Sequence, residues 1–514
     1  MKREKLNYST DGTMHIAMAT LTIRFIIAIA LVTIAIVDLT DSTMQNPDHP
    51  PYKVIPAGDI QAKIDGSSVS YDRACIVGDL DLSNREFSHF RIVNSIIEGN
   101  ISFSNTIFSE RTELKNTSFL KGALFNKTKF NGEADFEKSH FYQTANFSES
   151  RFSDGATFDG VTFEKDADFM TAYFNNFGSF DKAKFYGAAK FYLAQFNGIY
   201  ANFAGTQFRE RADFVGTQFT PFLSFVKSKM DKDADFHASR FNGGVNFGGM
   251  TCMGQIRFDR SHFSEDSQFR SIDFSNNADF RSTTFDGPSF FKDTRFGGDA
   301  LFDNAQFNSP SDFNGTRFSK DLTLNNTKIS TMVFDGAAFN SSSHLFLSKA
   351  DINRLMISWE LIKDILVYDS SAYLSLVRNY RDLGLSEADD CYYQYRKITQ
   401  DRKSWEPSKI LDILAYVTCG YGVRVDRPVL CSLFVILACM TILWMGDGLK
   451  HHAIKDQRTS IFDSLYYCLA IFFTIPLPDL KPVGRYRYVP VLLRALGWTL
   501  FALLIATLGK VMIK

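Results

Sequence analysis

From Phe103 onward an aromatic or aliphatic residue returns at alternating steps of five and six. One stretch runs Phe136, Phe141, Phe147, Phe152, Phe158, Phe163, Phe169, Phe174, Phe180, Phe185, Phe191, Phe196. The register slips by one residue near Ile199 and resumes at Phe203, Phe208, Phe214, Phe219, Phe225, Met230, Phe236, Phe241 and Phe247. Cys252 takes the next slot, and the series runs on from Phe258 to Phe318 and Leu324. The true period is eleven. A small residue stands two before every second Phe, as at Ala134, Ala145, Ala156, Ala167, Gly178, Ala189, Ala201, Ala212 and Ala234. Residues i and i−2 of an extended chain share a face. Each short strand therefore turns one small and one large side chain inward.

A helix does not fit this spacing. Steps of five and six rotate by about 140° and 240° at helical pitch, so the Phe residues would not form one stripe. The intervening Gly, Asn, Asp, Ser and Thr favour turns, and by periodicity they face outward into solvent. Short strands stacked as a solenoid satisfy both facts, with a Phe ladder filling the axis. The triplets Ala134-Asp135-Phe136, Ala145-Asn146-Phe147, Ala167-Asp168-Phe169, Ala201-Asn202-Phe203, Ala212-Asp213-Phe214, Ala234-Asp235-Phe236 and Ala278-Asp279-Phe280 resemble the pentapeptide-repeat family. That resemblance implies a right-handed β-helix with four faces per coil. This chain adds one residue to every second unit, so a coil should hold 22 residues and bulge slightly at alternate corners. Phe103 to Leu324 gives about ten coils and a rod of roughly 50 Å. The inward core is expected to include Phe136, Phe147, Phe158, Phe169, Phe180, Phe191, Phe203, Phe214, Phe225 and Phe236.

The fold class is thus a mainly β solenoid with an α-helical cap and transmembrane helices. Ile60 to Leu82 reads as a short helix followed by the first coil, with Ile60 and Ile64 covering the open end. Past Phe346 the residues Leu355, Met356, Trp359, Ile362, Ile365 and Leu366 follow helical spacing. A second helix carries Tyr373 to Tyr380, capped by Asp369 or Ser370 and ended by Gly384. Ser386 with Asp389 has the form of a capping box opening a third helix, through Tyr392 and Tyr395 to about Thr399.

Two ends of the chain are apolar. Lys2, Arg3, Lys5 and Arg24 precede the run Phe25–Val37, which reads as a signal anchor or a cleaved signal peptide. At the other end, Val429–Met445 and Val489–Leu508 are long enough to span a bilayer, the second interrupted only by Arg494. Between them Ser460 and Asp463 cap an apolar helix too short to cross. This span, short helix, span layout resembles the two-transmembrane pore module of potassium channels. The resemblance rests on Phe462-Asp463-Ser464-Leu465-Tyr466-Tyr467 entering the pore helix, on Thr474 at its end, on Asp479 and Pro482 beyond it, and on Gly497 in the second span. It implies a filter at Thr474, Ile475, Pro476, Leu477, Pro478 and Asp479, where Pro476 and Pro478 replace the family's two glycines. A potassium filter needs a row of carbonyls facing one axis. Glycine permits the φ angles this requires and proline fixes φ near −65°. Potassium selectivity is therefore expected to be absent.

Composition changes the picture only by exclusion. Phe numbers 51 against 4 Trp, and the net charge is −1. Acidic and basic residues nearly balance along the repeat, which argues against a nucleic-acid partner or mimic. The seven cysteines form no CxxC and read as buried free thiols, and His451-His452 has no obvious third ligand. No catalytic constellation, cofactor or metal site is legible, so an enzyme is not expected.

The chain then divides into a basic segment (1–24), the signal segment (25–40), a cap with the first coil (41–96), the β-helix (97–346), a helical connector (347–427) and the membrane module (428–514). Two functional readings stand. One is a multi-pass cell-membrane protein with a homo-oligomeric pore, tetrameric by the potassium-channel resemblance. The other is a non-conducting anchored scaffold whose β-helix binds a protein or cell-surface ligand. The cations Lys450, Lys455, Arg458, Lys481, Arg485 and Arg487 in the loop favour a cytoplasmic loop and an extracytoplasmic β-helix.

Overall fold

The computed structural model describes residues 52–63, 68–451, 459–476 and 479–512. The signal segment, Ile64, His452, Leu477 and Pro478 lie outside the described residues. The chain forms two compact units, Met1–Asn176 and Phe177–Lys514.

In the first unit every strand pairs in parallel with the strand one coil later. The first coils hold 21 residues, Lys53 pairing with Ala74 and Cys75 with Ile96; from there Ile96 pairs with Ser118, Ser118 with His140, and His140 with Thr162, a coil of 22. Once per eleven residues the chain turns through a left-handed residue: Asn105 (φ 61°), Asn116 (φ 49°), Lys127 (φ 59°), Lys138 (φ 56°). This turn lies within the five-residue steps, as Lys138 does between Phe136 and Phe141, so the extra residue of alternate units falls at the other corner. Asn adopts the conformation at modest cost, whereas Lys needs the surrounding ladder to hold it there. The residue after each of these four left-handed residues is Thr or Ser, and it points inward. Thr106 Oγ1 donates to Leu82 O (2.8 Å), Thr128 Oγ1 to Phe103 O (2.7 Å) and Ser139 Oγ to Leu114 O (2.6 Å). These hydroxyls are buried and tie each corner to an earlier coil. They correct the expectation that the polar positions all face solvent.

Phe136, Phe147, Phe158 and Phe169 are buried along the axis. Rings one coil apart stack, Phe136 on Phe158 and Phe147 on Phe169 at 4.8 Å, while rings half a coil apart meet edge to face, Phe136 on Phe147 at 5.3 Å. Both arrangements suit the ring quadrupole. The first strand, Lys53–Pro56, precedes the short helix α1 (Ala57–Lys63) and pairs Lys53 with Ala74. The coil therefore begins before the helix, not after it. Ala57 and Ile60 of α1 are buried, as a cap requires.

The second unit repeats the design. Phe180, Phe191, Phe203, Phe214, Phe225 and Phe236 are buried, and Phe203 stacks on Phe225 at 4.7 Å. The slip near Ile199 is a coil of 23 residues, pairing Phe177 with Tyr200. Two long strands, Gln306–Asp312 and Lys328–Val333, join two faces that are separate elsewhere. In all, the solenoid makes about 14 turns, not about ten. The surplus lies at the ends, where the inward residues are Ile76, Leu80, Leu82 and Ile97 at the start and Leu345, Leu347 and Leu355 at the finish.

The expected helix from Leu355 to Leu366 is mostly absent. Leu355–Met356 is a last strand, paired with Met332 and Val333, and only α2 (Trp359–Ile362) is helical. Next come α3 (Ser370–Asp382), α4 (Glu387–Arg402) and α5 (Pro407–Cys419). Asp369 caps α3, accepting from Ser371 N (2.9 Å) and Ala372 N (3.1 Å). The capping box at Ser386 does not form. Ser386 is itself in helical conformation (φ −67°, ψ −23°), and a cap requires an extended residue.

Candidate functional site

Among the described residues two helices are long and apolar enough to cross a membrane: α6 (Asp426–Met445) and the segment Gly484–Lys510, which opens with a turn of 3-10 helix and continues as α8 (Val489–Met512). The helix between them, α7 (Ile461–Phe472), has 12 residues and reaches only about 18 Å at helical rise. A capping box starts it: Ser460 Oγ accepts from Asp463 N (3.1 Å), and Asp463 Oδ2 accepts from Ser460 N (2.9 Å). His451 lies 3.8 Å from the same carboxylate.

Side chains from all three helices share one buried cluster. Met440 and Leu443 of α6 meet Tyr467, Cys468 and Phe472 of α7 and Leu493 and Leu500 of α8. Tyr467 is thus part of the packing that holds α7 in place. Tyr466 is not: with Phe462, Leu469 and Phe473 it lies on an exposed stripe along the other side of α7. Gly497 is a point of close approach between helices. A Cβ there would stand 2.8 Å from Phe472 O, so α8 crosses the end of α7 where it has no side chain. Arg494 is exposed, on a different side of α8 from the buried Leu493, Gly497 and Leu500.

The end of α7 is sharply defined. Ile475 N donates to Ala470 O (2.7 Å) and Thr474 N to Ile471 O (3.1 Å), a Schellman-type closure. The left-handed residue that this closure needs is Thr474, at φ 59°. Glycine is the usual occupant, and a β-branched residue there is strained. Thr474, Ile475, Pro476 and Asp479 are all exposed. The chain then returns as a strand, Leu480–Pro482, antiparallel to Leu449–His451, with Lys450 opposite Lys481. Tyr486 packs against Gly448, where a Cβ would come 2.9 Å from its ring. This strand pair joins the chain after α6 to the chain after Asp479. Sequence reasoning missed it, although Gly446 and Gly448 leave room for Tyr486.

Sequence reasoning also missed α5. Its signals were Pro407 at the first turn and Gly420 (φ 53°) at the end. The cation–aromatic contacts below it were not legible. Arg427 donates to Tyr416 O (3.0 Å) and Tyr393 Oη (2.9 Å), Arg424 to Asp390 (2.7 Å), and Lys510 Nζ sits 4.9 Å from the Tyr392 ring. The starts of α6 and the end of α8 are thereby fastened to α4.

Among the described residues no three His, Cys, Asp or Glu side chains gather as a metal site. Cys252 fills a Phe slot of the solenoid, where burial pushes its thiol up to about 12.

A family model described as pentapeptide repeats, nine copies, matches residues 125–169, 180–229, 258–306, 269–317 and 280–328. A model described as ion channel matches residues 429–514. No curated protein and no solved structure matches the chain. The chain therefore joins a β-solenoid that matches the pentapeptide-repeat model to a C-terminal, potassium-channel-like domain that matches the ion-channel model.

Proposed function

We propose that the chain is a multi-pass membrane protein whose C-terminal hairpin, assembled from several copies around one axis, forms an ion pore without potassium selectivity. The observation that carries this is the exposed apolar stripe of α7 beside the exposed segment Thr474–Pro476. A short helix packed on two spans by one face and bare on the other has a use for neighbouring copies. Four copies would bring four such loops to a common axis, the arrangement in which backbone carbonyls can replace ion hydration. Pro476 and Pro478 fix φ where the family has glycine. The carbonyls then have no route to the alternating orientation of a potassium site.

Purified protein in planar bilayers, with potassium on one side and sodium on the other, tests this. The expected reversal potential lies near zero. A strongly potassium-selective reversal potential would overturn the selectivity claim.

The solenoid is assigned to the extracytoplasmic side by the six loop cations and the basic flank before Phe25. An impermeant maleimide should label Ser341→Cys on whole cells; labelling only after lysis would reverse the assignment. The second reading, a non-conducting anchored scaffold, is favoured by the same two prolines. It requires that replacing Pro476 and Pro478 by alanine leave every measured property unchanged.

A further inference from the structure

The helix α5 carries an apolar face that nothing in the second unit covers. Ile410, Leu411, Leu414 and Val417 are 55, 67, 54 and 47% exposed and recur at helical spacing along its length. Its one acidic residue, Asp412, is turned the other way, toward Arg396 (2.8 Å) and Lys403 of the preceding segment. Its one basic residue, Lys409, donates to Lys403 O (2.8 Å). The exposed face is therefore without charge. Trp405, 81% exposed just before the helix, has the amphipathic ring that concentrates at membrane–water boundaries.

Two facts say what covers this face. First, α5 packs against both α6 and α8, and only six residues, 420–425, separate it from α6. Second, exposed apolar residues resume beyond this bend at Leu430, Leu433 and Phe434 of α6, and Cys431 Sγ of α6 donates to Val417 O of α5 (3.3 Å), which sets the two runs side by side. A span with those residues outward is bathed in lipid, so the surface continuous with it meets the same solvent. We infer that α5 is an interfacial helix, seated at the boundary between headgroups and acyl chains on the solenoid's side of the membrane, with Ile410, Leu411, Leu414 and Val417 in the lipid. The inference rests on the membrane reading of α6. Because the face bears no charge, it takes a neutral lipid surface as readily as an anionic one.

An environment-sensitive fluorescent amino acid is placed singly at positions 411, 414, 434 and 341 of the full chain, reconstituted in phosphatidylcholine vesicles. Quenching is read with lipid carrying a nitroxide near the headgroup end of its acyl chain, and separately with aqueous iodide. Positions 411 and 414 should lose about half of their emission to the nitroxide lipid, as 434 does, while 341 loses emission to iodide only. Phosphatidylglycerol vesicles should give the same result. Quenching at 434 without quenching at 411 and 414 would overturn the inference and leave the membrane reading intact. Protection of 411 and 414 from both quenchers would place a neighbouring protomer on the face and also overturn it. Failure at 434 as well would remove the membrane reading on which it stands.

Discussion

Asn379 and Leu355 exchange two hydrogen bonds: Leu355 N donates to Asn379 Oδ1 and Asn379 Nδ2 donates to Leu355 O, each at 2.8 Å. Leu355 belongs to the last strand of the solenoid, whose outward backbone groups would otherwise meet nothing. The carboxamide of α3 takes the place of a next coil. A sheet edge left bare is a template for unwanted pairing, and one buried side chain closes it here.

Asn379→Leu should leave the N–H and C=O of Leu355 buried and unpaired. The expected loss is about 2–4 kcal/mol, seen as a lower thermal midpoint and faster amide exchange at Leu355. Unchanged exchange at that amide would mean that the pair does not secure the strand.

The ladder makes a graded claim about phenylalanines. Phe214 is fully buried, stacked on Phe191 at 4.8 Å and Phe236 at 4.7 Å. Phe222, only a few residues away, is 52% exposed. Phe214→Ala should cost about 3–5 kcal/mol and Phe222→Ala within about 0.5 kcal/mol, compared by limited proteolysis. Equal sensitivity of the two would contradict the inward assignment.

The cap at Asp369 sets a pH dependence. Its bond with the Ser371 hydroxyl, then those with the Ala372 and Ser371 amides, hold the carboxyl below its ordinary value. A depressed folded value means that the contribution is complete above the unfolded carboxylate range. It is lost as pH falls through the folded value. Asp369→Ala should cost about 1 kcal/mol at neutral pH and nothing once both states are protonated. A variant whose deficit persists unchanged in strong acid would rule out this account of the cap.

At the crossing of α8 and α7, Gly497→Ala should force the helices apart, at about 1–3 kcal/mol. Gly509 has nothing within 4 Å of an added Cβ, so Gly509→Ala is the matched control. Thermal midpoints in detergent decide the case. An equally harmless result at both positions would show that the close approach to Phe472 O is not a constraint.

The solenoid was legible because its core is written in one residue type at a fixed period. Where Ile and Leu replace Phe, as at Ile76, Leu82 and Leu355, the same geometry persists but the signal fades, and turns were undercounted. The Thr106, Thr117 and Thr128 series was visible as polarity and misread as solvation. Its role depends on carbonyls of earlier coils, more than twenty residues upstream. Leu355 and Met356 imitated a helix because their strand is completed by Asn379 from elsewhere, which no local spacing encodes. In the membrane module, Ser460 and Asp463 announced the start of α7 by a local rule. Its end at Thr474 came only from the family resemblance, since Thr474 takes a conformation that local sequence rules assign to glycine. The strand pair Leu449–His451 with Leu480–Pro482 joins residues about thirty apart and has no periodicity to read.

The most direct test of the central claim is ion flux through the purified full chain in liposomes, wild type beside a variant lacking residues 475–479. The pore reading expects flux of small ions through the wild type, with little preference for potassium over sodium, and its loss in a deletion that stays folded and inserted. Absence of flux for every ion from inserted, folded wild-type protein would contradict it, and the hairpin would then be an anchor for the solenoid.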